Sequence, residues 1–210
     1  MYERILKESF LLFSRNGIKS MTMDEIAKHM GISKRTIYEN FKDKDDLLRK
    51  AILHHTDEQK SEISHIIQSS SNVLEIIFKV MYNGISNLEK VHPCYFSDMM
   101  KYHHKVCRDL MPLQEAAHTQ MLENLISRGK TEGVFREDVN ISIVTRNLNN
   151  HIKSLPNEDL FPSLEFSKAE VFKNIVVNFT RGMSTPKGSQ LIDDILAEYE
   201  KDSSKFNDKI

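Results

Sequence analysis

The sequence predicts an all-α fold. Its 210 residues include only seven glycines and five prolines, too few for a turn-rich β architecture or a glycine-rich phosphate loop. Apolar residues recur at three- and four-residue intervals along most of the chain, and no alternating run marks a strand. Residues 43–70 contain no Gly or Pro at all.

The elements follow in order. Leu6, Phe10 and Phe13 lie at helical spacing in a first helix over 2–16, which Gly17 ends. "TMDE" at 22–25 is a capping-box pattern: Thr22 caps and Glu25 reaches back. Ile26 and Met30 give that second helix a buried stripe, and Gly31 stops it. Ser33 caps a short third helix. The long run that follows predicts a helix of roughly 40 Å at 1.5 Å per residue, with Leu48, Ile52, His55, Ile63, Ile66 and Ile67 in register. "SSSN" (69–72) separates it from the helix "VLEIIFKVMYNGISNLEK". "HPC" (92–94) punctuates, "YFSDMMKYHHKVCRDLM" follows, and Pro112 stands near the start of a helix over about 112–130. "RGKTEGVF" reads as a loop. Ile141, Val144 and Leu148 mark a helix over 140–155, and "PNEDLFPSLEF" a loop. "KAEVFKNIVVNFTRGM" is helical, "STPKGSQ" interrupts, and a last short helix covers 190–200 before a charged tail that should fray.

Composition narrows the class. Apolar residues make up 40% and charged residues 28%, as in a globular protein. No run of 18 apolar residues suggests a membrane span. The N-terminus does not resemble a secretory signal, and two cysteines without a CxxC pair make no disulfide framework. A cytoplasmic protein with no membrane partner is expected. Net charge is −1 overall, but residues 1–50 carry +3 and the remainder −4. That asymmetry suits a small nucleic-acid-binding front end.

Residues 23–42 sharpen this expectation. Ala27 is small where two helices would cross, Gly31 follows at the turn, and Ile37 faces back between the helices. This is the sequence form of a helix-turn-helix, whose second helix enters the major groove. On that helix Ile37 and Phe41 face the core. Lys34, Arg35 and Tyr38 face the other way, with Lys42 one turn on. Lys and Arg reach phosphates or guanine edges, and a Tyr hydroxyl reaches phosphate. A merely solvated face is the competing reading. The expected DNA-binding set is Thr22, Ser33, Lys34, Arg35, Thr36, Tyr38, Lys42 and Lys44. A DNA-binding domain over 1–46 would precede a helical body over 47–210.

The segment "TMDEIAKHMGISKRTIYENFKDKDDLL" resembles the N-terminal signature of the TetR family of bacterial transcriptional regulators. Ser33, Lys34, Ile37, Tyr38, Phe41, Lys44 and Leu47 match its pattern, over roughly residues 2–50. "EGVFRED" and "FTRGMST" are similar to later segments of some members. The resemblance implies that Tyr38 contacts the DNA backbone and that Lys44 lies near a phosphate at the start of the next helix. Arg35 departs from the small residue common there, so it would add a contact of its own. The resemblance also implies a homodimer on palindromic double-stranded operator DNA, paired through the last two major helices. Val144, Leu148, Phe172, Ile175, Val176 and Phe179 would form the seam. It further implies a small-molecule effector, apolar or amphipathic, that releases DNA from a cavity in the body. Phe78, Met81, Tyr82, Tyr95, Phe96, Met99, Met100, Tyr102, His103, Met121 and Leu125 are the large adaptable side chains expected to line it. These residues also read as ordinary core.

Other chemistry finds little footing. No GxGxxG, phosphate loop, HExxH or nucleophile elbow is present, so no catalytic residue or cofactor is expected. His92, Cys94, His103, Cys107 and His118 are candidate metal ligands by type alone, and nothing in their spacing fixes a site, so none is assigned. A helical adaptor without DNA binding, or an activator of the same fold, are the alternatives to a repressor.

Overall fold

The computed structural model describes residues 1–207, and among them the regular structure is helical. Packing divides the chain into two units. Residues 1–65 and 87–115 form the first; residues 66–86 and 116–210 form the second.

The first unit begins with α1 (Tyr2–Asn16), α2 (Met23–Met30) and α3 (Lys34–Tyr38). Ile5, Phe13, Ile18, Ile26, Ile37 and Phe41 are buried together in its core, joined by Leu47, Leu48 and Ala51 from α4 (Lys44–Ser69). The remaining helices of this unit are α6 (Cys94–Tyr102), which packs on α1, and the first turns of α7 (His104–Thr131). Tyr95, Val106 and Leu110 from these helices are buried in the same core. Asp98, nearly buried, accepts a hydrogen bond from the Lys19 backbone N–H at 2.8 Å. The packing boundary therefore differs from a division after residue 46, because α6 and the start of α7 belong with the N-terminal helices.

The second unit is built on α5 (Val73–Glu89), the rest of α7, α8 (Ile141–Lys153), α9 (Lys168–Met183) and α10 (Pro186–Asn207). Val73, Leu74, Ile76 and Phe78 meet Leu125, Ile126, Phe135, Val176 and Ile192 in its core. Asn140 and Ser167 cap α8 and α9 by accepting from the backbone N–H of Ile143 and Glu170. A Cβ at Gly129 would collide with the Phe135 ring, so a glycine lets that ring lie directly on α7.

The run after "HPC" takes a definite form, and two expected helix starts are corrected. The run after "HPC" is two helices, broken at His103, whose φ of −126° and ψ of 36° leave the helical region. Its side chain is buried and bonds Asp45 at the start of α4 (Nδ1 to Oδ1, 2.6 Å). Pro112 lies inside α7, not at a helix start. Its lost backbone hydrogen bond falls in a stretch where residues 111–117 are all exposed, so water can reach the carbonyl that is left over. The last helix begins at Pro186, earlier than expected, because the Thr185 hydroxyl caps it by accepting from the Gly188 N–H at 3.1 Å. It also continues through much of the expected fraying tail; residues 208–210 of that tail lie outside the described residues.

Candidate nucleic-acid interface

The interface is assembled from short-range bonds. Thr22 Oγ1 accepts from the Glu25 N–H at 3.2 Å, while the Thr22 N–H donates to Glu25 Oε2 at 2.6 Å, so the capping box is complete. Those bonds to the carboxylate hold Glu25 below its ordinary pKa. Gly31 ends α2 at φ 65°, ψ 32°, and its N–H bonds back to Ala27 and Lys28. A left-handed residue is what the turn between these two helices requires. Ser33 Oγ then accepts from the Thr36 N–H at 3.0 Å and sits 2.8 Å from the Thr36 hydroxyl, starting α3. Ile37 is fully buried against α2, which leaves residues 34, 35 and 38 outward.

On that outer surface the cations have partners. Lys34 Nζ lies 2.6 Å from Asp24 on α2, which raises the lysine pKa. Arg35 Nε bonds Glu39 one turn on at 2.9 Å. The Lys34 ammonium also lies 5.8 Å from the centroid of the Tyr38 ring, which is half exposed. Lys42 is exposed, and its backbone N–H donates to Asp46. Lys44 is different from the rest. It is half-buried, its ammonium donates to the Ile18 carbonyl at 2.6 Å, and burial lowers its pKa. In this structure it ties the start of α4 to the loop before α2. Of the eight expected DNA-binding residues, Thr22 and Ser33 also cap helices, Thr36 bonds the Ser33 cap, Lys34, Arg35, Tyr38 and Lys42 share the exposed segment, and Lys44 turns inward.

Sequence reading missed the acidic partners Asp24 and Glu39. The Arg35–Glu39 pair was readable as an i, i+4 pair. The Lys34–Asp24 pair joins two helices, and only the turn geometry brings it together. Both are exposed pairs, so each contributes little to stability. Their effect is on the field: a phosphate must replace a carboxylate at each cation.

A sequence model of the bacterial regulatory proteins of the tetR family matches residues 5–51, the segment that builds this geometry. The N-terminal segment thus matches the TetR family. Its relatives are regulators by name. An HTH-type transcriptional regulator of Bacillus subtilis, YvaF, is 31% identical over 105 residues, which is 50% of this chain and about half (55%) of that one. The HTH-type transcriptional repressor KstR2 of Mycolicibacterium smegmatis is 20% identical over 147 residues, 69% of this chain and 72% of the other. Among solved structures, a putative transcriptional regulator from Saccharomonospora viridis in complex with choline superposes with a TM-score of 0.71 at 18% identity, covering 88% of this chain and 97% of that one. The ketosteroid regulator KstR2 of Mycobacterium tuberculosis gives 0.58 at 16%, covering 88% and 95%. At these identities the structures establish a shared fold. The N-terminal helices of this chain are thus similar to the DNA-binding module of tetR-family regulators, and the relative YvaF is a transcriptional regulator by name.

The second unit holds a cavity of about 60 Å³. Met81, Met121 and Leu125, three of the expected ligand residues, line it, together with Leu148, Phe172 and Val176 from the expected dimer seam. Phe78 is fully buried in the surrounding core, and Tyr82 stacks on Tyr199 at 3.9 Å. The structure does not bring the other expected ligand residues there. Tyr95, Phe96 and Met99 pack in the first unit's core, Met100 and Tyr102 are exposed, and His103 bonds Asp45. They read as one set because aromatic and Met side chains at helical spacing look alike whichever core they enter. Of the remaining seam candidates, Val144 packs against the second core, while Ile175 and Phe179 are half-buried, with Phe179 edge-on to His151 at 5.1 Å. Among the described residues no group of three His, Cys, Asp or Glu side chains could hold a metal, and no helix is long and apolar enough to cross a membrane.

Proposed function

We propose that this regulator is a homodimeric repressor that binds a palindromic operator and releases it when a small apolar or amphipathic molecule enters the second unit. The observation that carries this reading is the exposed face formed by Arg35 and Tyr38 on α3, which Ser33 caps, with exposed Lys42 just beyond it. So short a helix reads few base pairs, so a second copy is needed for a specific site, with half-sites about one turn apart. Residues 1–46 would be the reading domain. The repressor of Mycolicibacterium smegmatis among its relatives favours repression over activation, and the apolar cavity favours a small-molecule signal. The dimer seam would use the side of α9 that carries Ile175 and Phe179, since Leu148, Phe172 and Val176 are occupied with the chain's own cavity.

Coupling would run along α4, which starts at Lys44, directly after the reading helix, and continues into the second unit. An effector acts only through its preference for the non-binding state, so bound operator must weaken effector binding by the same factor, roughly 1–3 kcal/mol. Selection of bound DNA from a random pool, with light scattering on the native protein and Phe179→Asp, tests the reading. A two-fold symmetric site, bound by a dimer and lost with a monomeric Phe179→Asp, is the expected result. A folded Phe179→Asp that stays dimeric removes the seam assignment, and an asymmetric site removes the palindrome.

A further inference from the structure

The cavity wall is chemically uneven. Of its fourteen lining residues, twelve are apolar; the polar ones are His118 and Thr180. Thr180 is already committed, since its hydroxyl donates to the Val176 carbonyl of its own helix at 2.7 Å. His118 is held from behind. Its Nδ1 lies 2.8 Å from Asn149 Oδ1, and the Asn149 amide N–H in turn donates to Thr119 Oγ1 at 2.8 Å. Neither Asn149 nor Thr119 lines the cavity.

This chain of bonds fixes the imidazole. An amide oxygen facing Nδ1 can only accept, so Nδ1 carries the ring proton and Nε2 keeps its lone pair. Burial favours the uncharged ring, and the pKa of His118 is lowered accordingly. The atom left for an occupant is therefore an acceptor in an apolar wall. An occupant with a hydroxyl satisfies it. An anion would meet that lone pair with no cation in the wall, and an ammonium would find no carboxylate there; both would be left buried and unpaired.

We propose that the cavity selects a neutral, mainly apolar molecule bearing one hydrogen-bond donor, a hydroxyl in the simplest case, which His118 Nε2 accepts. The regulatory consequence rests on the effector reading above; the binding chemistry does not. At about 60 Å³ the space is small beside the roughly 300–1,000 Å³ of drug-sized sites. Entry is met by the flexible Met81, Met121 and Met183 side chains on its wall.

The test uses three ligands of one shape: 4-ethylphenol, 4-ethyltoluene and 4-ethylbenzoate. Methyl-labelled methionines report by NMR whether each enters the cavity, through Met81, Met121 and Met183. The phenol is expected to bind about fivefold more tightly than the toluene, the worth of one ordinary hydrogen bond, and the benzoate at least about tenfold more weakly than the toluene. His118→Leu should abolish the phenol preference and keep toluene binding, while His118→Gln, whose carbonyl can accept, should restore part of it. Imidazole ¹⁵N shifts of the free protein should show the proton on Nδ1. The proposal is overturned if the benzoate binds best, if the preference survives His118→Leu, if the proton is on Nε2, or if no member of the series moves the three methionines. A parallel arm measures affinity for the selected DNA. Phenol that binds as expected without changing DNA affinity leaves this proposal standing and removes the effector reading. DNA release by other compounds, with the series excluded from the cavity, does the reverse.

Discussion

In the helix-turn-helix, the polar bonds that set geometry are local. Thr22 bonds Glu25 and Ser33 bonds Thr36, each three residues apart. In the second unit, the bonds that give the cavity its chemistry join His118 to Asn149 and Asn149 to Thr119, separated by 31 and 30 residues. The first arrangement forms as soon as the helices form, and its packing leaves Ile37 and Phe41 almost no exposure. The second exists only once α7 and α8 are side by side, and it borders a void. The contrast teaches that the helix-turn-helix is built to hold one shape, whereas the second unit keeps a void walled by soft methionine side chains.

The comparison breaks most visibly if the helix-turn-helix proves soft. Phe41→Ala removes a ring that is 1% exposed and stacked on Tyr2 at 5.2 Å. It should cost about 3–5 kcal/mol and abolish DNA binding, as thermal melts and DNA shift assays would show; a loss under 1 kcal/mol means the core tolerates voids after all.

Removing one proposed reading contact is the next largest effect. Arg35→Ala should weaken specific DNA binding by about 1–3 kcal/mol and relax preference at one base pair, whereas Lys42→Ala should weaken all sequences alike and reduce the salt slope by about one. Competition assays at several salt concentrations separate the two. Equal losses on specific and random DNA for Arg35→Ala would cancel its reading role.

Thr22→Ala tests the local caps. Loss of the capping box should cost about 1 kcal/mol, visible in denaturant midpoints, and hydrogen exchange should quicken at the start of α2 more than elsewhere. Uniform acceleration would mean that the cap is not a local device.

The smallest effect concerns pH, and it belongs to the second unit. Burial lowers the His118 pKa below its ordinary 6.5. The unfolded chain then binds the proton more readily, so this contribution to stability is present above about 6.5 and is lost as pH falls through the folded pKa. His118→Leu should flatten that part of the stability-versus-pH curve, measured by urea unfolding between pH 5 and pH 8. An unchanged slope would show that the imidazole charges without penalty, and the dry cavity wall would be in doubt.

What the sequence determined by itself was whatever rests on neighbours along the chain. The capping box at Thr22, the left-handed turn at Gly31, the cap at Ser33 and the outward placement of Lys34, Arg35 and Tyr38 follow from residues within about one helical turn of each other, and the structure forms them as read. The all-α class follows from the same local periodicity. Only the tertiary structure decided which core each amphipathic helix enters. Tyr95 and Met99 carry the same pattern as Met81 and Met121, yet α6 packs on α1 while the latter pair lines the cavity. It likewise decided that Asp24 meets Lys34, that Lys44 turns to Ile18, and that His118 is pinned by Asn149. The physical reason is that burial is non-directional: an apolar stripe specifies that it must be covered but not by what, and the polar partners brought together by that choice are distant in sequence.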